Sequence, residues 1–227
     1  MPNKQTFLRA DQFQPHPADA HAIQQLLNLS HYRFATFGVT PRGRVYGVHG
    51  CLADSNVDAL LQLPELIEVS VQMASIAIFT DKGLERLFAH PSLRIFGCAQ
   101  NPALTDRSAA SLSMSRRMQW LCLNNCAITD IGVQSISEHR QLLGLYLAGT
   151  QITEECVPYL CRLTNLRRLR LSQTLVTERF RDTLSAHLPK CLSIKLGQTA
   201  GYNTMHTEPQ AARVFLLASR SPRPGDR

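Results

Sequence analysis

Apolar residues recur along the chain in short clusters with a fixed internal order. Each cluster reads apolar, two free positions, apolar, one free position, apolar, and six copies begin at Leu66, Leu93, Met118, Leu142, Leu166 and Cys191. The alternation in the last four positions is typical of a strand with one buried face. Six strands at this spacing predict a repeat architecture in which each unit packs on its neighbours.

A threonine followed by an acidic residue stands downstream of most of these clusters. The pairs are Thr80-Asp81, Thr105-Asp106, Thr129-Asp130, Thr153-Glu154 and Thr177-Glu178, and their acids are 25, 24, 24 and 24 residues apart. Threonine suits a helix N-cap, and an acid in the first turn is favoured by the helix dipole. We therefore predict a short helix after each pair. Alternating strands and helices predict a right-handed coil with a parallel sheet on its inner side.

The residue three positions past each strand cluster is expected to close the turn that follows. Its side chain should hydrogen-bond backbone groups that are buried where the chain leaves the strand. The residues at this position are Ala74, Asn101, Cys126, Thr150, Thr174 and Thr199.

The two ends of the chain depart from the repeat. A degenerate copy begins at Val45, with Gly47 where leucine is expected. Upstream, an amphipathic helix is predicted from Ile23, Leu26 and Leu27, and residues 33–39 are predicted to form the outermost strand. We expect residues 1–40 to form an N-terminal cap, 41–199 the repeats, and 200–227 a C-terminal cap followed by a disordered basic tail.

The run from Met118 to Thr199 resembles bacterial leucine-rich-repeat proteins built on a 24-residue unit. The likeness is carried by the T-x-[IV]-T-[DE] signature, present in residues 150–154 and 174–178. The run is also similar to the cysteine-containing leucine-rich repeats of ubiquitin-ligase substrate receptors, with Cys126 in the signature place. The resemblance implies an α/β leucine-rich-repeat solenoid with a parallel sheet on the concave face. It further implies a protein-binding scaffold, and such proteins share a fold far more than a partner.

The composition indicates the cellular compartment and the charge of the partner. The formal charge is +7, from 24 basic and 17 acidic residues, which favours an acidic partner. Seven cysteines without an export signal predict reduced thiols and a cytoplasmic location. No apolar run approaches the roughly 20 residues of a membrane span, so we expect no membrane association.

Equivalent positions of parallel strands lie side by side, so the free positions should form rows along the concave face. The first predicted row is Arg44, Glu68, Ile95, Trp120, Gly144, Arg168 and Ser193. The second is Tyr46, Ser70, Gly97, Cys122, Tyr146, Arg170 and Lys195, and a third contains Gln72, Asn124 and Ser172. From these rows we predict that a protein partner contacts Tyr46, Glu68, Trp120, Asn124, Tyr146, Arg168, Arg170 and Lys195.

Trp120, the single tryptophan, is expected to face outward near Tyr146 and the arginines, a composition typical of interface hot spots. Gly97 and Gly144 would leave shallow gaps beside it for a partner side chain. The alternative is that Trp120 only covers neighbouring strands and that the arginines form a solvated face.

Two further functions remain open. The first 40 residues could recruit a second protein, making the chain an adaptor in a ubiquitin-ligase-like or effector assembly. The basic end formed by Arg167, Arg168, Arg170 and Lys195 could bind an anion or RNA, although no established nucleic-acid motif accompanies it.

No catalytic, cofactor or metal site is predicted. His90, His139 and His187 fall late in alternate repeats, about 10 Å or more apart at ~4.8 Å per strand, too far to share a metal. They are expected near last-turn carbonyls. Cys98 and Cys191 occupy core positions and should behave as small apolar residues.

Overall fold

The structure, a computed structural model, describes residues 7–29, 35–71 and 79–197. The strands of these ranges are β1 (Phe7–Leu8), β2 (Thr36–Val39), β3 (Val45–Gly50), β4 (Glu68–Val71), β5 (Ile95–Cys98), β6 (Trp120–Cys122), β7 (Gly144–Tyr146), β8 (Arg168–Arg170) and β9 (Ser193–Lys195). The α-helices are α1 (Pro17–Leu29), α2 (Val57–Leu61), α3 (Asp81–Phe88), α4 (Asp106–Ser111), α5 (Asp130–Ser137), α6 (Val157–Leu160) and α7 (Arg181–His187). Single 3-10 turns lie at Ala10–Gln12, Asp54–Asn56, Leu112–Met114, Glu154–Cys156 and Glu178–Phe180.

Within the described ranges, the strands form one sheet whose spatial order is the order along the chain. The first three strands pair antiparallel, and β3 to β9 pair parallel. A helix or helical turn connects each parallel pair, as a crossover in the same sheet requires. This is the predicted α/β leucine-rich-repeat solenoid, with the sheet on its concave face. None of the helices in these ranges is long and apolar enough to cross a membrane.

The core lies between the sheet and the helices, and its residues come from the predicted apolar positions. Leu121, Leu145 and Leu169 stand side by side on successive strands and are fully buried in one continuous cluster. The helices return apolar residues to the same cluster, including Leu87 of α3 and Val133 of α5. A short strand and a short helix could not bury enough apolar surface alone, so each repeat depends on its neighbours.

Each threonine-acid pair bonds one repeat to the next. The carboxylate of Asp106 accepts from the backbone N–H of Thr129 at 2.8 Å and from its hydroxyl at 2.6 Å. The same two bonds join Asp54 to Thr80, Asp81 to Thr105, and Asp130 to Thr153. Glu154 accepts from the hydroxyl of Thr177 at 2.7 Å. The acids therefore hold successive helix starts together, in addition to the dipole role expected from sequence.

Thr105, Thr129 and Thr153 also cap their own helical segments, as predicted, whereas Thr80 and Thr177 make no side-chain cap bond. The hydroxyl oxygen of each capping threonine accepts a bond from the backbone N–H two residues later. Each hydroxyl therefore donates one hydrogen bond to the preceding repeat and accepts one from its own helical segment.

Small residues make room for these carboxylates. A Cβ atom on Gly83 would collide with Oδ1 of Asp54, and one on Gly132 would collide with Oδ1 of Asp106. In the same place of the repeat between them, Ser108 is tolerated because its hydroxyl donates to Asp81. Burial raises the pKa of Asp81, but the bonds from Ser108 and Thr105 outweigh it and leave that pKa below 3.8.

The turn after each strand carries two recurring features. The predicted turn-closing side chains bond backbone carbonyls: Thr150 donates to Leu147 at 2.6 Å and Thr174 donates to Leu171 at 2.7 Å. One residue before Asn101, Cys126, Thr150 and Thr174, the backbone adopts a positive φ, at Gln100, Asn125, Gly149 and Gln173. Gly197 also has a positive φ, two residues before Thr199. This conformation lets the N–H bond the following repeat, for example from Gly149 to Ser172 at 2.9 Å. Ala74 and Thr199 lie outside the described residues.

The outermost strand at the N-terminal end of the sheet differs from expectation. The predicted helix is α1, with Ile23 and Leu26 buried. Residues 36–39 of the predicted outermost segment form β2, but β1 pairs on its outer side. The sheet therefore ends in an antiparallel unit whose first strand is Phe7–Leu8, a segment too short to be recognised from alternation.

Of the histidines late in the repeats, His90 and His139 are buried and His187 is exposed. Nε2 of His90 donates to the carbonyl of Leu63 in the preceding repeat at 3.0 Å, and His139 bonds the backbone of Met118. Nδ1 of His187 lies 2.9 Å from the carbonyl of Thr183, within its own last turn as predicted. Burial lowers the pKa of His90 and of His139 below 6.5, and the backbone bonds oppose this only in part.

Replacing Asp106 with alanine should destabilise the fold, because it removes both bonds to Thr129. Hydrogen bonds to charged groups contribute roughly 1.5–3 kcal/mol, and partial exposure lets water replace some of this, so we expect a loss of about 2 kcal/mol. Urea denaturation followed by circular dichroism measures it. The matched control, Glu155→Ala, removes an exposed acid from the next helical segment and should change the free energy of unfolding little. Equal stability of the Asp106 variant and wild type would contradict the role assigned to the carboxylate.

Stability should fall as the pH is lowered through 6.5, because the unfolded histidines take up protons that folded His90 and His139 resist. Each site contributes at most about 1.4 kcal/mol per pH unit. The double variant His90→Leu, His139→Leu should lose much of this dependence between about pH 6.5 and 5, above the carboxylate titrations. Leucine is chosen because Leu63 and Leu163 occupy the same place in other repeats and are fully buried. Denaturation series at several pH values, with His187→Leu as an exposed-site control, would test this.

Candidate functional site

The face of the sheet opposite the helices is formed by the free positions of the strands. One row runs through Glu68, Ile95, Trp120, Gly144, Arg168 and Ser193, and the second through Ser70, Gly97, Cys122, Tyr146, Arg170 and Lys195. From β4 onward, both rows agree with the prediction. Gln72 of the third predicted row lies outside the described residues.

The first repeat joins these rows three residues later than predicted. Gly47 pairs with Glu68 and His49 with Ser70, in place of Arg44 and Tyr46. Arg44 lies before β3, where its guanidinium is 3.4 Å from the buried carboxylate of Asp19. Pairing with the antiparallel β2 sets the register of β3, and a sequence pattern based on parallel repeats does not contain that constraint.

Trp120 forms a small apolar cluster on the concave side, separate from the main core. It packs with Ile95 and Tyr146, and the Trp120 and Tyr146 ring centroids are 6.1 Å apart. Only 3% of Trp120 is exposed. No acceptor from the described residues reaches its indole Nε1, so packing and not hydrogen bonding positions the ring.

The ring of Trp120 fills the space that Gly144 leaves on the neighbouring strand. A Cβ atom on Gly144 would collide with the six-membered ring of the indole. The expectation that Trp120 faces outward beside an open gap at Gly144 is therefore wrong. The space beside Gly144 is occupied by the protein's own tryptophan ring, because burying an aromatic ring lowers its free energy relative to leaving it in water.

The N-terminal part of the face contains a buried polar pair. Oε1 of Glu68 lies 2.7 Å from Nε2 of His49, and Glu68 is 1% exposed. The ring of Phe7 stacks on His49 with centroids 3.8 Å apart, and its edge faces the ring of Tyr46. Tyr46 and Glu68, both predicted to contact a partner, are thus enclosed within the fold.

Asn124 has a structural contact between repeats. Its Oδ1 accepts from the backbone N–H of Ala148 at 2.8 Å, and the residue is buried. A side chain committed to a neighbouring backbone in this way stabilises the turn. It offers little to a partner.

The C-terminal part of the face is basic and reaches solvent. Arg168 and Arg170 are half-buried on β8, and Lys195 is exposed on β9. The guanidinium carbon of Arg170 lies 5.9 Å from the centre of the Tyr146 ring, within cation–π distance. The concave positions of β7, β8 and β9 contain no acidic residue. Of the eight predicted contact residues, these three cations are the ones that reach solvent, whereas Tyr146 is as buried as Tyr46.

The cysteines of the described part behave as apolar residues. Burial raises the pKa of Cys98 and of Cys156 to about 12, and raises that of Cys126 further. These thiols stay protonated and are poor nucleophiles or metal ligands. Within the described ranges, no group of three or more His, Cys, Asp or Glu residues is arranged to hold a metal ion.

No protein-family model matches the chain, and no curated protein does. Among solved structures, it is similar to an internalin (inlF) from Listeria monocytogenes, with 18% identity and a TM-score of 0.40 over 62% of this chain and 50% of that one. It is also similar to an internalin C2 (inlC2) from the same species, with 16% identity and a TM-score of 0.46 over 84% of this chain and 88% of that one. The chain thus spans half the length of the first of these proteins. At these identities and TM-scores, function has to be argued from the chain's own surface.

Replacing Gly144 with alanine should destabilise the fold, because the added methyl group displaces the Trp120 ring. Overpacking of this kind costs typically 1–3 kcal/mol. Urea denaturation measures the cost, and the emission of the single tryptophan should shift to the red as the ring meets water. The variant Trp120→Leu, alone and combined with Gly144→Ala, completes a double-mutant cycle. Its free energies of unfolding are measured by urea denaturation followed by circular dichroism. If the alanine costs as much without the indole as with it, the proposed collision is excluded.

Proposed function

We propose that the chain is a scaffold that binds an acidic protein on the C-terminal part of its concave face and performs no catalytic step itself. The observation that carries this proposal is the contrast along the face. The N-terminal residues Tyr46 and Glu68 are enclosed, whereas Arg168 and Lys195 reach solvent on strands with no acid beside them.

The geometry of β7 to β9 favours a protein ligand. Two adjacent parallel strands place Arg168 and Arg170 directly beside Ser193 and Lys195, so the cations stand on a rigid surface about 4.8 Å apart between strands. The ring of Tyr146 lies against Arg170 and limits the motion of its guanidinium. Ordering these side chains beforehand lowers the entropy lost on binding.

Electrostatics favours an acidic contact surface on the partner. Arginine guanidinium groups donate two parallel bonds to a carboxylate, and Lys195 adds a point charge one strand away. Carboxylates brought to the concave positions of β7, β8 and β9 meet three cations and no acid on these strands. Complementary charge of this kind raises association rates and selects against basic partners.

The test compares three forms of the full chain. The concave variant replaces Arg168, Arg170 and Lys195 with glutamine. The helix-side variant replaces Lys82, Arg86 and Arg107, three exposed cations on α3 and α4, with glutamine and so has the same net charge. Proteins retained from cell extract by the wild type and the helix-side variant, but not by the concave variant, are the candidate partners.

Each candidate is then purified and titrated by calorimetry against the three forms. We expect the concave variant to bind at least about tenfold more weakly, since rim charges and bidentate pairs together contribute more than 1.4 kcal/mol. Circular dichroism of all forms excludes unfolding as the cause. A partner that binds the concave variant as tightly as wild type would disprove this location of the site.

A further inference from the structure

A second group of cations lies on the loops that lead from each helix into the next strand. In the four loops 115–119, 138–143, 161–167 and 188–192, the basic residues are Arg116, Arg117, Arg140, Arg162, Arg167 and Lys190. The one acid in these loops, Glu138, is 3.2 Å from Arg162 and neutralises it. Five cations therefore remain along this edge of the solenoid, which we call the basic edge.

Direct hydrogen bonds hold the four loops in register. The N–H of Leu143 donates to Gln119 at 2.7 Å, that of Arg167 donates to Leu143 at 2.7 Å, and that of Leu192 donates to Arg167 at 2.8 Å. These bonds extend the parallel sheet by one residue into the loops. The spacing of the strands, ~4.8 Å, therefore fixes the spacing of the loops, and the four loops span about 15 Å.

Side chains connect the outer parts of the same loops. Nδ2 of Asn165 donates to the carbonyl of Arg140 at 3.0 Å, and Nζ of Lys190 donates to Oδ1 of Asn165 at 2.7 Å. Arg116, Arg117 and Arg140 are exposed and form no ion pair with any described residue. Their charges are thus directed to solvent from a surface that is itself ordered.

The basic edge is continuous with the concave cations. Arg167, the last loop residue, directly precedes Arg168 on β8, so the two surfaces meet at one point of the chain. We propose that an extended acidic segment of the partner protein runs from the concave face onto the basic edge, with its carboxylates on Arg140, Arg117 and Arg116. This inference rests on the proposed function, because it extends the same binding site.

Several observations favour an acidic polypeptide over other polyanions. The four loops of the basic edge contain no Phe, Tyr or Trp, and binding to single-stranded nucleic acid relies on aromatic side chains for base stacking. The cations lie in a line one loop wide, which suits an extended chain better than the broad plane of a membrane. Four of the five are arginines, whose planar groups match carboxylates bidentately.

The experiment uses the full chain and a fluorescent peptide of about ten glutamates, ~33 Å long when extended, enough to cover both surfaces. The edge variant replaces Arg116, Arg117 and Arg140 with glutamine, and it is compared with wild type, the concave variant and the helix-side variant by fluorescence anisotropy. We expect the edge variant to bind about tenfold more weakly and the helix-side variant to bind like wild type. Wild-type affinity should fall between about 50 and 300 mM salt because exposed charges are screened.

The remaining outcomes separate this inference from the proposed function. Weakening by the concave variant alone overturns the role of the basic edge and leaves the concave site supported. Weakening by the edge variant alone supports the edge and counts against the concave site. Failure of wild type to bind the peptide overturns the acidic-segment proposal. Tighter binding of a uridine oligonucleotide, or of phosphatidylserine vesicles over phosphatidylcholine vesicles, would replace the acidic protein with that class of ligand.

Discussion

The contact on which the repeats depend is the pair of hydrogen bonds from Thr80, Thr105, Thr129 and Thr153 to the acid of the preceding repeat. Asp54, Asp81, Asp106 and Asp130 each accept a backbone N–H and a hydroxyl from the next repeat. These bonds fix the start of each helix against its neighbour, and the sheet fixes the strands. Because both ends of every repeat are tied in this way, the loops between them are also held in register. The order of the basic edge follows from that register.

The concave face illustrates how packing and binding compete for the same positions. The row that contains Trp120 could present an aromatic side chain to a ligand. Gly144 on the next strand, however, leaves space in which the ring packs and becomes buried. Arg168 on β8 pairs with the same glycine, but the Trp120 ring already fills that space, and the arginine side chains of β8 remain partly in solvent. The neighbouring residue, and not the residue itself, decides whether a free strand position serves the fold or a partner.

Acidic and basic side chains are distributed differently over the surfaces of the solenoid. On the helix side, acids such as Asp106 bond the next repeat, and others such as Glu138 form surface ion pairs with cations. Arg168 and Lys195 have no acid at the neighbouring concave positions, and Arg116, Arg117 and Arg140 form no ion pair with any described residue. The three concave cations and the five cations of the basic edge lie on one continuous surface, which favours fast association with an acidic protein.

The sequence by itself determined the repeat, the strand positions and the helix starts, because each depends on local periodicity and capping chemistry that recurs every 24 residues or so. It also placed Arg168, Arg170 and Lys195 on one face. Only the tertiary structure decided that Asp106 bonds Thr129, that Trp120 lies on Gly144, and that β3 takes its register from β2. These features arise from contacts between residues distant along the chain, and a periodic pattern contains no information on which side chain will fill a gap in its neighbour.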